Sequence, residues 1–476
     1  MYWEFRNMDE NINIADTDNE AKNGLVKCPK CGSTDISQNI NTTKLRCNFC
    51  RHEFEAESVS DAEIFSLQGV SASSGAANIV QDAQDVVTLK CEGCGAEVVI
   101  DTKSSTSARC HWCRSTLSIN KQIPNGAVPD ALLPFSVSKQ EAEKQIAKFV
   151  NARKFFAHPT FIQEFDESNI CGVYLPYMVL DVNAHMDMSG TGEVLVREYT
   201  VDSGDNEETR YDADAYHIRR NFDIGVDDLT IEASADKLHV NAKDKTTNII
   251  NSIMPFDTEN RVKYDSNYLK GFTSEKRDTN IEQIRGVAHK QAADIARYSA
   301  NNSITRYNRG VRWERTDFQV KGEAWKSMYL PVWLYSYMQK SNGKSVLHYV
   351  AVNGRTKETM GSVPLYFKKL LVATLLVESL ASFLVLFLGL DIIELSETMR
   401  DLRWVLLFCG IGLFVFTYSR YRNANKRHMH ETETKYKVMN LQKSDEFKEH
   451  RTNLRNSVIE GENTRRVSGA LKDNIR

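Results

Sequence analysis

The chain has 476 residues, 41% of them hydrophobic, with 60 Lys and Arg against 63 Asp and Glu and a net charge of −3. That length suits roughly two to four domains, and the near balance of charge excludes a global electrostatic pull toward nucleic acid or acidic lipid. The opening residues are acidic and polar and lack the basic-then-apolar order of a secretory signal, so the ten cysteines are expected as thiols or thiolates rather than disulfides.

Residues 1–24 read as a disordered N-terminus. Cysteine spacing then dominates. Cys28-Pro-Lys-Cys31 is followed after fifteen residues by Cys47-Asn-Phe-Cys50, and Cys91-Glu-Gly-Cys94 after fifteen by Cys110-His-Trp-Cys113. Each C-x2-C knuckle aims two sulfurs at one ion, and the separation suffices for a hairpin that joins two knuckles around it. The spacing therefore predicts two zinc ribbons, over 25–57 and 86–120, each holding one Zn2+ on four cysteines. Gly32 and Gly95 follow the opening knuckles, where a glycine can take positive φ. His52 and His111 are read as surface residues, because each quartet is already complete.

The closing knuckles share a dressing of arginine and an aromatic: Arg46, Phe49 and Arg51 in the first, Arg109, Trp112 and Arg114 in the second. One reading is a contact surface, with rings stacking on a partner or on bases and arginines meeting phosphate. The other is compensation of the zinc–thiolate charge, with the aromatic as each ribbon's main packing residue. Between the ribbons, 58–85 is small and polar and reads as a flexible tether, with a short helix near Ala62–Leu67.

These ribbons resemble the TFIIB-type zinc ribbon, including that of the primosomal replication-restart helicase. No G-x4-G-K-[ST] phosphate loop occurs, so a helicase core is excluded.

From Leu132 to Val363 the pattern is mixed α/β with a faint repeat, divided into an α+β unit over 121–252 and another over 253–367. Ser138 with Glu141 makes a capping box, and Ile146, Phe149 and Val150 form an apolar stripe. A second, longer helix is expected over 279–300. Tyr174-Leu175-Pro176 and Tyr329-Leu330-Pro331 each open an apolar strand, followed by an antiparallel meander. Gly190–Gly192 and 203–206 mark the turns in the first unit, Asn342-Gly343 and Asn353-Gly354 in the second. Trp333, Tyr335 and Tyr337 alternate onto one face, read as the buried side of a sheet. The repeated pattern resembles bacterial membrane-associated ribbon proteins with a "YLPfW" strand, some of them linked to envelope-stress systems.

Residues 368–419 read as a two-helix transmembrane hairpin. The stretch 370–390 carries one charge, Glu378, and would span about 31 Å as a helix, while 402–418 would span about 25 Å. Lys368 and Lys369 before it, and Arg420, Arg422, Lys426 and Arg427 after it, place both termini in the cytoplasm of an inner-membrane protein. Glu378 can face Gly410 and Gly412 of the second span. Residues 420–476 hold fourteen Lys and Arg against eight Asp and Glu and read as a basic, partly helical cytoplasmic tail.

The histidines have no spacing that pairs them with a nucleophile, so no catalytic residue, enzyme activity or small-molecule substrate is assigned. The sequence points to a membrane-anchored adaptor whose ribbons recruit a cytoplasmic protein to the lipid bilayer. The alternative is a membrane-tethered nucleic-acid-binding factor.

Overall fold

The computed structural model describes residues 13–16, 26–33, 35–55, 58–59, 63–73, 86–90, 97–101, 108–109, 116–117, 122–123, 129–202, 207–233, 251–264, 266–269, 271–275, 277, 279–341, 344–388, 408–422 and 428–455. Nineteen strands and six helices are described, and the described residues are mostly β. This corrects the expectation of ribbons attached to two successive α+β units.

One 14-stranded sheet joins both units. At its centre β5 (Cys171–Asp202) runs antiparallel to β8 (Val311–Ser341), in register from Cys171↔Leu334 to Gly192↔Val311. β6 (Glu207–Glu232) pairs with the other side of β5, and β11 (Lys435–Arg455) pairs with β6. β9 (Lys344–Asn353) and then β10 (Thr359–Gly361) continue the sheet beyond β8. The two Tyr-Leu-Pro motifs lie directly against each other, with Tyr174↔Pro331, Leu175↔Leu330 and Pro176↔Tyr329. The repeat therefore marks one central crossing rather than two meanders, and each proline sits inside a long strand rather than at its start.

The extent of β5 follows from side-chain alternation. Val182, Ala184, Met186 and Met188 are buried on one face, while Asn183, His185 and Asp187 take the other. Gly190 and Gly192, expected in a turn, are interior to β5. A Cβ on Gly190 would stand 2.3 Å from the carbonyl oxygen of Arg312, and one on Gly192 would meet the Tyr307 ring at 2.8 Å. They are glycines because neighbouring groups approach closely.

Strands of this length cannot stay flat. Register shifts between Leu180 and Val182 and between Leu195 and Arg197 bend β5, and the sheet curls into a half-barrel. The helix α3 (Ile281–Asn302) lies in the curl. Its inner face, Ile284, Ala288, Ala292, Ile295, Ala296 and Ala300, is small enough for close approach to Met186, Phe222 and Trp325. A second core forms around the central crossing, where α1 (Lys139–Asn151) and α2 (Pro159–Glu164) cover Tyr174, Trp333 and Tyr335. Ser138 caps α1 with Glu141 as expected, and Ile146 and Val150 are buried. Trp333 and Tyr335 are core residues too, with the Trp333 indole donating to the Val137 carbonyl at 2.8 Å.

The described part of 58–85 is built into this body. Ile64 packs on Gly225, and β4 (Val70–Ser73) runs parallel to β8 with Ser71 opposite Glu323. Residues 13–16, within the stretch read as disordered, pair in turn with β4. Asn342, Gly343 and 203–206 lie outside the described residues.

The C-terminal region differs most from expectation. Among the described residues no helix is long and apolar enough to cross a membrane. The helix α4 (Phe367–Leu388) carries Lys368, Lys369 and Glu378; α5 (Cys409–Arg422) has 14 residues, about 21 Å, short of a bilayer core of about 30 Å. The transmembrane hairpin, and the multi-pass inner-membrane placement drawn from it, are therefore not supported. Residues 389–407 lie outside the described residues. Glu378 does face α5: the Gly410 N–H donates to its Oε2 at 2.9 Å, and a Cβ on Gly410 would meet that oxygen at 2.6 Å. Of the stretch expected as a basic helical tail, 420–422 end α5, His430–Glu433 form the short helix α6, and Lys435–Arg455 form β11.

Candidate metal centre

The first cysteine quartet forms a three-stranded antiparallel ribbon of β1 (Ile36–Gln38), β2 (Leu45–Cys47) and β3 (Glu53–Phe54). Its two knuckles have the same backbone plan. In the first, Gly32 N–H donates to the Cys28 carbonyl at 2.9 Å with φ +73°. In the second, Arg51 N–H donates to the Cys47 carbonyl at 3.0 Å with φ 64°. Arg51 thus takes the left-handed position that glycine fills in the first knuckle, at some conformational cost.

The knuckles bring Cys28, Cys31, Cys47 and Cys50 together with all four sulfurs within 4.8 Å of one another, close enough to hold a metal ion. Cys28 and Cys50 Sγ are 3.5 Å apart, and Cys31 and Cys47 Sγ 3.6 Å. Tetrahedral zinc–sulfur bonds of about 2.3 Å require sulfurs about 3.8 Å apart, so the donor set fits with a shift of a few tenths of an ångström.

The electrostatics agree. The Cys50 amide, 3.4 Å from Cys47 Sγ, and then the Phe49 amide lower the Cys47 thiol to about 6. Cys28 is also lowered: burial opposes it, but the Cys31 and Lys30 amides outweigh burial. Cys31 moves the other way. Although the Ser33 amide favours its thiolate, desolvation and the thiols of Cys50, Cys47 and Cys28 push it up to about 12. Backbone dipoles favour the Cys28 and Cys47 thiolates, and charging Cys31 beside them calls for a cation among the sulfurs.

The ribbon is docked on the body rather than held at a distance. Ile36 and Leu45 are buried in the same core as Phe135, Tyr174 and Trp333. Gln38 Nε2 donates to the Thr43 and Phe135 carbonyls at 2.9 and 3.1 Å, and its Oε1 accepts from the Tyr174 hydroxyl at 3.0 Å. These residues, not Phe49, supply the packing. Sequence reasoning missed them, although the Ile-Ser-Gln and Leu-Arg-Cys alternation beside the cysteines carried the signal.

Phe49 is 80% exposed at the tip of the second knuckle, with the exposed Arg51 two residues on. The reading of Phe49 as the ribbon's packing residue is thereby corrected. Arg46 is half-buried on β2, and His52 stacks on Phe54 with ring centroids 6.2 Å apart.

Cys91, Cys94, Cys110, Cys113, Trp112 and Arg114 lie outside the described residues. Of that ribbon's expected contact residues, Arg109 is placed in a strand pair opposite Thr116. Strands 86–90 and 97–101 pair antiparallel from Val86↔Asp101 to Lys90↔Glu97, and 97–101 joins the large sheet through β7 (Thr273–Glu275). Of the scattered histidines, His185 pairs with Asp223 at 2.7 Å and His289 with Glu323 at 2.6 Å.

No family model matches the chain, and no solved structure does. Over 340 residues the chain is 25% identical to a Bacillus subtilis (strain 168) protein named "Uncharacterized protein YdjG", covering 71% of this chain and 89% of that one.

Proposed function

We propose that the chain is a zinc-ribbon recognition protein that captures a protein partner through the second knuckle of its first ribbon. Zn2+ is the ion that best suits four thiolates in a closed tetrahedral set, and the matching spacing of Cys91, Cys94, Cys110 and Cys113 makes a second such centre. In this reading the ribbons are of the TFIIB type, and the protein acts by binding rather than catalysis. The exposure of Phe49 carries the proposal. A large aromatic is kept in solvent on a backbone fixed twice, by the metal and by docking on the body. Such a ring contributes little to folding, and its preset position spares the ordering cost of binding. An aromatic anchor of this kind accounts for about 2 kcal/mol or more when a partner pocket buries it.

The neighbouring Arg51 supports a second reading, in which Phe49 stacks on a base while the arginine meets phosphate. Two measurements separate the two. Photo-crosslinking from position 49 identifies the contacted partner, and pull-downs then compare wild type with Phe49→Ser. Capture should be lost in Phe49→Ser while metal content and thermal midpoint stay unchanged. Capture of the same partner at full yield by Phe49→Ser would overturn the proposal. Single-stranded oligonucleotide binding that falls steeply with salt, and disappears in an Arg46→Ala/Arg51→Ala variant, would establish the nucleic-acid reading instead.

A further inference from the structure

We infer that Asp294, His430 and Glu431 form a separate divalent-metal site, of one imidazole and two carboxylates, that clips the segment leading into β11 onto α3. Asp294 lies 136 residues before the adjacent His430 and Glu431, yet one ligand atom from each lies within 4.8 Å of the other two. Asp294 is on α3; His430 and Glu431 open α6, a single turn held by Thr432 and Glu433 N–H groups donating to the Met429 carbonyl.

The contacts in this cluster are spaced for an ion rather than for hydrogen bonds. His430 Nε2, the nitrogen that would take the ion, stands 3.7 Å from Asp294 Oδ2, beyond hydrogen-bonding distance, while Glu431 Oε2 stands 3.7 Å from Nδ1 of the same ring and has to turn toward Nε2 to complete the site. His430 Nε2 is buried and has no hydrogen-bond partner among the described residues. Two ligands on one zinc, each bonded at about 2.0–2.2 Å, stand about 3.4 Å apart, so a small closure suffices between His430 Nε2 and Asp294 Oδ2. The other Asp294 oxygen is held by Arg297 Nη1 at 3.5 Å, which turns Oδ2 toward the imidazole. His428, paired with Glu433, has its ring centre 6.4 Å from that of His430 and adds a second imidazole to the patch.

The side chains of Asp294, His430 and Glu431 are 26%, 18% and 22% exposed, so an ion can enter and keep water in its remaining positions. A neutral imidazole with two carboxylates leaves a bound M2+ electrically balanced. The mixed nitrogen and oxygen donors suit Zn2+ or Mn2+ and contrast with the all-sulfur ribbon. A second acidic group, Asp181, Asp227 and Asp228, is already served by cations: Lys326 Nζ lies 3.0 Å from Asp181 and Arg261 Nη1 lies 3.0 Å from Asp228.

The test uses the full chain with its ribbons loaded with zinc, titrated with Mn2+, whose preference for oxygen and nitrogen leaves the thiolate sites undisturbed. Bound Mn2+ is counted by electron paramagnetic resonance. Wild type should bind one Mn2+ at this site, and His430→Gln and Asp294→Asn should each weaken it by roughly tenfold or more, with unchanged far-UV circular dichroism. Glu431→Gln, at the third ligand, gives an independent check should either variant fold poorly. Equal Mn2+ affinity in wild type and all three variants would overturn the assignment. So would the absence of Mn2+ binding in wild type, or binding abolished by Asp181→Asn and untouched by His430→Gln.

Discussion

Replacing Gln38 with leucine tests whether the ribbon and the sheet are one body. Leucine is close to glutamine in volume, so packing is largely kept while the polar contacts are lost. Gln38 is 4% exposed and Tyr174 is fully buried. Burial pushes the Tyr174 phenol well above its ordinary value, so the hydroxyl is a neutral donor at any working pH. Gln38→Leu takes one acceptor from that hydroxyl and one donor from the Phe135 carbonyl. Each weakened buried group costs about 1–3 kcal/mol, partly offset by the apolar leucine, for a net loss of about 2 kcal/mol. Tyr174→Phe alone leaves Gln38 Oε1 without its donor. In the double variant both ends of the contact are gone, so the losses should fall short of additivity by about 1 kcal/mol. Urea unfolding of the metal-loaded chain measures all four corners of the cycle. Additive losses, or a Gln38→Leu change below about 0.5 kcal/mol, would show that the ribbon is not held through this contact.

Two further predictions concern the frame. Gly190→Ala should destabilise by about 2–4 kcal/mol, because its Cβ would lie 2.3 Å from the Arg312 carbonyl and part β5 from β8. Gly286→Ala, in α3 with nothing within 4 Å of the new methyl, should stabilise by about 0.5–1 kcal/mol, and thermal midpoints read both. Glu141 is lowered to about 2, chiefly by its Lys357 ion pair and then by the Ser138 cap. A depressed carboxyl stabilises the fold fully above its unfolded value of 4.5, and the contribution is lost as pH falls through about 2. The pair is close to half exposed, so Glu141→Gln should remove only about 0.5–1 kcal/mol at pH 7. Its stability deficit relative to wild type should vanish in acid, as pH-dependent unfolding curves would show.

Local chemistry was legible in the sequence, and long-range pairing was not. The ribbon could be read because four thiolates at fixed spacing have few other solutions, and α1 because its cap and its stripe lie within one short window. The central crossing was half legible: two Tyr-Leu-Pro motifs were visible, but nothing local says that they lie against each other 155 residues apart. Glycines at 190 and 192 look like a turn in one dimension and are close-contact positions in three. β11 shows the limit best. Its sequence, KYKVMNLQKSDEFKEHRTNLR, reads as a polar helix or tail. It is held as a strand by partners far away in the chain, including Arg220 to Asp445 at 2.5 Å, Asp214 to His450 at 2.7 Å and Glu193 to Arg451 at 2.9 Å. Phe49 was ambiguous for a different reason: in a unit of about thirty residues, whether a ring packs or projects depends on what else fills the core, and here Ile36 and Leu45 fill it together with the body.

Docking also changes what a metal-binding measurement on this protein means. A ribbon without its ion has too small a core to hold its shape, so the apo segment gives up its contacts with the sheet. Binding the ion then restores both the ribbon and its seat on Tyr174 and Phe135, and the measured affinity contains the docking energy as well as the metal–sulfur bonds. A substitution at a residue that is not a ligand should therefore weaken metal binding. With about 2 kcal/mol of docking lost, Gln38→Leu should raise the metal dissociation constant by roughly 30-fold, at about 1.4 kcal/mol per decade. Tyr174→Phe, which keeps the Gln38 bond to Phe135, should raise it less. Competition with a chromophoric chelator on the intact chain gives both values. Identical affinities in wild type and Gln38→Leu would mean that the apo ribbon stays seated, and that the body, rather than the ion, sets the position of Phe49.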